Sequence, residues 1–200
     1  MARFLQMEPT HRYRSHVRRG GASSRRRTLM WLSVLLLPHL VIGTLNAAEP
    51  HARDARILLR TLQYVRNLQP MDAVPIAILY DPNQPASQQE AVALEALLQR
   101  EDTRQAIQAR LVPISALETQ ENISVLFLTR RLGAHFERIA RFAGERGLLT
   151  VSMDRECAGS EGCVVAFETQ AGIEIFINQK NMKRNRIDFD AAFMYTAKRL

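Results

Sequence analysis

Helical and strand patterns alternate from Asp54 to Ser152 and then give way to a hairpin. That order predicts an α/β fold: a single three-layer domain with a mostly parallel sheet, an antiparallel C-terminal hairpin and a short C-terminal helix. Three observations carry the prediction. Val74–Tyr80 and Ile123–Thr129 are nearly continuous apolar runs, the mark of strands covered on both faces. Amphipathic helical segments separate the strands, as parallel pairing requires. Two further strand-like runs flank Thr169–Gly172, a turn-forming sequence with a glycine at its end.

Taken in order, Ala55–Leu68 is predicted as the first helix, with Ile57, Leu58, Leu62, Val65 and Leu68 at helical spacing. Asp54 is its expected N-cap and Pro70 its stop. The strand Val74–Tyr80 follows, then the loop Asp81–Pro85. Ser87 is expected to cap a second helix reaching Arg104, with Val92, Leu94, Ala96, Leu97 and Leu98 as its apolar side. Gln105–Pro113 and Ile123–Thr129 are the next strands. A third helix, Ala134–Glu145, rests on Phe136, Ile139, Ala140 and Phe142, with Gly144 or Gly147 suited to its C-terminal cap. Leu148–Ser152 is a short buried strand, Val164–Glu168 and Ile173–Asn178 form the hairpin, and Asp190–Arg199 is the closing helix.

The charge is unevenly distributed. The chain holds 27 lysines and arginines against 20 acids. Eight of the arginines and only one acid, Glu8, lie in the first 48 residues, so the remainder is balanced. Without excess positive charge, the folding part is not expected to bind nucleic acid. The arginine-rich start runs into the apolar stretch Leu29–Leu45 and the pair Ala47-Ala48, the pattern of a secretory signal cut after Ala47 or Ala48. Ser24–Leu29 also resembles a twin-arginine export signal, with Thr28 where an aromatic is usual. An uncleaved N-terminal anchor is the alternative, and it leaves the same globular part facing outward. Residues 1–48 are thus expected to be an export signal or anchor, residues 49–200 the folded domain, and the location the periplasm.

Few residues suggest chemistry. Beyond the leader there are two histidines, His51 near the start and His135 beside Arg138 and Arg141, and no Ser-His-Asp arrangement is supported by spacing. The loop Asp81–Pro85 has no glycine run to cradle phosphate. Asp154 and Arg130-Arg131 follow parallel strands, where α/β sheets often take ligands, but a turn former and a solvated loop are the simpler readings. Lys183–Arg186 reads as a solvated basic loop. An even cysteine count in an exported chain favours a Cys157–Cys163 disulfide over two free thiols. With five residues between them, the pair fits neither a zinc site nor a Cys-x-x-Cys redox motif. No catalytic residue, metal site or cofactor is expected.

An ordered set of segments resembles a known family. It comprises Tyr64–Pro70, Ile76–Leu79, Val125–Leu128, Leu149–Ser152, Glu161–Phe167, Ile173–Asn178 and a final short helix. Together they are similar to the YfiR-like family of small periplasmic proteins, over most of residues 54–200. The resemblance implies a non-enzymatic regulator that binds and represses a membrane-bound diguanylate cyclase through its periplasmic sensory domain. It also implies that an outer-membrane lipoprotein can capture the repressor, and that Cys157 and Cys163 form a family disulfide. Three features depart from the family. Only Gly162 remains of a common glycine pair, Asn185–Phe189 replaces the usual tail, and a second cysteine pair is absent.

The hairpin and tail are the expected contact surface, through Ile173, Phe176, Ile187 and Phe189, with Ile175 beside them; strand alternation sends some of these into the core. A second copy of the chain is a further candidate partner. The alternative function is a small one-lobe solute-binding protein, with its ligand between Asp81–Pro85 and Arg130. A two-lobe clamp would need about twice this length.

Overall fold

The computed structural model describes residues 52–169 and 172–200. The leader, its cleavage site, His51 and the hairpin tip at residues 170–171 lie outside the described residues.

Seven strands form one sheet in the order β2-β1-β3-β4-β5-β6-β7. They are β1 (Ala73–Tyr80), β2 (Ala106–Pro113), β3 (Val125–Leu128), β4 (Leu149–Ser152), β5 (Val165–Glu168), β6 (Glu174–Ile177) and β7 (Lys198–Arg199). Strands β1 to β5 are parallel, the β5–β6 hairpin is antiparallel, and β7 runs parallel to β6. The predicted fold class is the one observed.

Alternation along each strand divides the core. Val74, Ile76 and Ile78 of β1 enter one cluster, while Ala77 and Leu79 enter the other. The first cluster is covered by α1 (Ala52–Gln63), α2 (Pro85–Leu98) and α6 (Ala191–Thr196). The second is covered by α3 (Phe136–Arg146), α4 (Arg155–Gly159) and a 3-10 turn at Ile114–Thr119. A further helix, α5 (Gln179–Arg184), lies against α3. Among the described residues no helix is long and apolar enough to cross a membrane.

Ala55, Leu58, Leu59 and Leu62 form the buried stripe of α1. The helix stops at Gln63, not Leu68. Val65 instead bridges to Phe189, with Arg66 N–H donating to Asp188 O at 2.8 Å and Asp190 N–H to Tyr64 O at 2.8 Å. The C-terminal segment claims backbone groups that local periodicity assigned to the helix. Asp54 lies inside α1 and is buried, not at its cap.

Pro85 opens α2, where its missing N–H costs nothing. The helix ends at Leu98, and Val92, expected on the apolar side, is exposed. Gly147, not Gly144, caps α3 with a left-handed φ of 69°. The predicted last helix is split: α6 ends at Thr196 and residues 198–199 pair with β6. Helices α4 and α5 occupy segments read as loops.

Candidate functional site

A groove of about 830 Å³ lies between α1, α6 and the hairpin. Arg53, Arg56 and Arg60 stand along α1 at i, i+3 and i+7, which places them in one stripe. Ile57, Ile175 and Phe193 supply apolar lining, and among the described residues no acid lines the groove. Phe193 stacks on Tyr64, with ring centroids 5.5 Å apart, and on Phe189 at 4.9 Å. Ile173 is 53% exposed and Tyr64 41%, so the groove keeps apolar surface open to solvent.

Of the four residues expected to contact a partner, only Ile173 lies on this surface. Phe176, Ile187 and Phe189 are buried, which corrects the expectation for all three. Phe176 points to the opposite face of the sheet from Ile173, Ile175 and Ile177 by the period of two. It packs in the second cluster, with the Arg155 guanidinium 4.6 Å above its ring. Ile187 and Phe189 close the first cluster below α1. Burying them stabilises the fold, and little of either is left to offer a partner.

Cys157 and Cys163 form a disulfide, with Cα atoms 5.4 Å apart and both residues fully buried. Asp154 N-caps α4, its carboxylate accepting from Glu156 N–H at 3.0 Å. The loop then turns through Glu161 at φ 61°. A Cβ on Gly162 would overlap the Phe136 ring, so this one glycine is required by close approach.

Two buried asparagines fasten that loop, and a third ties the end of α5 to the residue before β4. Asn178 caps α5 through Asn181 N–H and donates to Ala158 O at 2.8 Å. Asn181 Nδ2 donates to Glu161 O at 2.6 Å and Cys163 O at 3.1 Å, and its Oδ1 accepts from Arg184 at 2.7 Å. Asn185 donates to Leu148 O at 2.7 Å. Lys183–Arg186 is therefore the end of a docked helix and its exit, not a free loop.

The carboxyl end of the parallel sheet is bonded within itself. Asp81 N–H donates to Ser87 Oγ, which lies 2.6 Å from Thr129 Oγ1; Thr129 in turn donates to Leu79 O. The buried Glu90 carboxylate accepts from Arg130 N–H at 2.9 Å and lies 3.8 Å from the Arg130 guanidinium. Burial pushes the Glu90 pKa above the usual carboxylate range, and Arg130 opposes that rise. Arg131 is exposed at a φ of 71°. His135 sits in a short 3-10 turn at the start of α3. Among the described residues no three His, Cys, Asp or Glu side chains are placed to hold a metal ion.

The YfiR/HmsC-like family model matches residues 51–198. The chain belongs to the YfiR/HmsC-like family. This YfiR/HmsC-like fold is similar to a conserved domain protein from Vibrio cholerae O1 biovar El Tor, with a TM-score of 0.54 at 13% identity. That match covers 76% of this chain and 60% of the other. It is also similar to an ABC domain from Streptococcus pneumoniae in complex with L-Trp, with a TM-score of 0.56 at 8% identity. Here 72% of this chain and 59% of the other are covered. The chain thus spans about three-fifths of each neighbour, and at these identities the likeness is one of fold. No curated protein matches the chain.

In this YfiR/HmsC-like chain, sequence reading missed the arginine stripe and the asparagines. The stripe is visible in the spacing of Arg53, Arg56 and Arg60. The opposing wall of Ile173 and Phe193 comes from segments more than 100 residues away in the sequence.

Proposed function

We propose that the chain is a periplasmic, non-enzymatic regulator that binds the periplasmic sensory domain of a membrane-bound diguanylate cyclase and represses it. Membership of the YfiR/HmsC-like family over residues 51–198 carries the reading. The open groove beside α1 supports it, because exposed apolar surface rimmed by charge suits a protein partner better than a small solute. The solute-binding alternative has less support, since the polar groups at Asp81, Ser87, Thr129 and Glu90 are engaged with one another or with nearby backbone and Arg130.

Repression works as a population shift. The chain binds the inactive arrangement of the cyclase more tightly, and inverting a 1:99 mixture takes about 10⁴-fold preference. An outer-membrane lipoprotein that captures the chain restores activity by mass action. The test is to express the chain, with its leader, beside a membrane diguanylate cyclase of the same host. Co-purification from membranes and a fall in cellular cyclic-di-GMP are expected, with the chain recovered from the periplasmic fraction. Unchanged cyclic-di-GMP with no co-purification would overturn the proposal.

A further inference from the structure

We infer that the groove between α1 and α6 receives an acidic amphipathic helix of a protein partner. The inference supplies the partner segment for the regulatory contact and rests on that reading only for the partner's identity.

Length, apolarity and charge point to this occupant together. From Arg53 to Tyr64 the α1 wall runs about 16 Å at 1.5 Å per residue, the length of about three helical turns. A helix lying there would meet the exposed Ile173 and the half-buried Ile175 on the far wall and Tyr64 at the end of α1, and could present apolar residues at i, i+3, i+4 and i+7. Arg53, Arg56 and Arg60 repeat at the helical period along the rim, so acids at the same period on the incoming helix would face them in register. Among the described residues the lining holds three arginines and no acid, with Glu101 beside Arg56, although the chain beyond its leader is balanced in charge.

The same charge argues against two other occupants. The leader of this chain carries eight arginines against one acid and would be repelled. A second copy docking groove to groove would bring two arginine stripes together. The arginines are also placed to receive a ligand without loss of the fold. Arg53 reaches Thr169 O at 3.4 Å and Arg56 reaches Glu101 at 3.5 Å, both from exposed positions. Arg60 is exposed, and its replacement leaves those two contacts intact.

The test uses the purified protein and fluorescence anisotropy with labelled helical peptides of about 14 residues, long enough to span the groove. One peptide has a leucine face flanked by glutamates, its counterpart has lysines for the glutamates, and a third is scrambled. The acidic peptide should bind at least about tenfold more tightly than the other two, and added salt should weaken it. Arg60→Glu should weaken the acidic peptide about threefold or more with an unchanged thermal melt, and Arg53→Glu/Arg56→Glu/Arg60→Glu should reverse the preference to the lysine peptide. Ile173→Ser, which adds no charge, should weaken the acidic peptide too, through the apolar wall.

Equal binding of acidic and lysine peptides, or an acidic preference indifferent to Arg60→Glu, would refute the inference. So would Arg60-dependent binding of phosphatidylglycerol vesicles by a protein that ignores the acidic peptide, which would make the groove a lipid site. Cellular cyclic-di-GMP separates the two readings. A chain that lowers it without recognising the acidic peptide keeps its regulatory function and loses this groove as the site. A chain that binds the peptide and leaves cyclic-di-GMP unchanged does the reverse.

Discussion

Replacing Asn181 by aspartate changes one side-chain group at the centre of the loop that carries the disulfide. Asn181 is 1% exposed, and its amide donates to the carbonyls of Glu161 and Cys163 while its oxygen accepts from Arg184. Asn181→Asp keeps the shape and the acceptor but deletes both donors. The buried Cys163 carbonyl and the part-buried Glu161 carbonyl then lose a partner, at about 1–3 kcal/mol for a buried group and less for the other, and with the added charge a loss of about 4 kcal/mol is expected. The new carboxylate oxygen also faces those two carbonyls, with Arg184 as its nearest cation.

At about 2–4 °C per kcal/mol for a domain of this size, Tm should fall by about 8–16 °C. Asn181→Ala loses the same donors without adding the charge and should be milder. The aspartate variant should also be pH-dependent. Burial and the facing carbonyls raise the pKa of the introduced carboxyl, Arg184 opposes that rise, and the protonated form regains one donor. Its deficit relative to Asn181→Ala should therefore be largest near pH 7 and shrink as pH falls towards about 4. Urea denaturation across that range measures the effect. A loss under about 1 kcal/mol would show that the asparagine does not hold the loop, and a deficit that does not change with pH would refute the burial of the introduced carboxyl.

Other expectations concern the disulfide, Glu90 and the hairpin. Cys163→Ser should cost about 2 kcal/mol for so short a loop, and unreduced wild-type protein should show Cys157 linked to Cys163 by mass spectrometry. The raised pKa of Glu90 means that its contribution to stability is full below the unfolded carboxylate range and is lost as pH rises through the folded value. Glu90→Gln removes that titration, so the stability difference should move in favour of the variant as pH rises from about 4 to about 7, and an unchanged difference by urea titration would contradict the burial argument. Phe176→Asp should unfold the domain by placing a charge in the core, whereas Ile173→Asp should leave circular dichroism and Tm nearly unchanged and weaken partner binding. Two variants with equal melts would contradict this assignment of faces.

The strands were legible because burial on both faces leaves a continuous apolar run, as Val125–Leu128 shows. The hairpin was legible from its turn residues, and Gly147 marks the end of α3 by its left-handed backbone, whereas α2 opens at Pro85 with Gln84 before it, two residues ahead of the cap expected at Ser87. Helices α4 and α5 were not legible. With five and six residues, they are too short to be stable by propensity, and they depend on caps from Asp154 and Asn178 and on side-chain bonds to distant carbonyls. The end of α1 was misplaced for a related reason: Leu62, Val65 and Leu68 are all buried, but Val65 is buried in a bridge to Phe189. Apolar spacing records burial and does not record which backbone partner a residue takes.

The sequence by itself determined the α/β class, the order of most elements and the set of apolar residues from which the core is drawn, and it favoured the pairing of Cys157 with the nearby Cys163. These follow from local periodicity, turn chemistry and short loop closure. Only the tertiary structure decided which of the apolar residues in the hairpin and tail are surface. Phe176, Ile187 and Phe189 are enclosed, and Ile173 is left beside Tyr64 and the arginines of α1. The physical reason is that exposure depends on what covers a side chain. Here the cover of Ile187 and Phe189 comes from α1 and α6, which lie at opposite ends of the domain's sequence and meet only when the sheet brings them together, while Phe176 is enclosed on the other face among residues of α3 and α4.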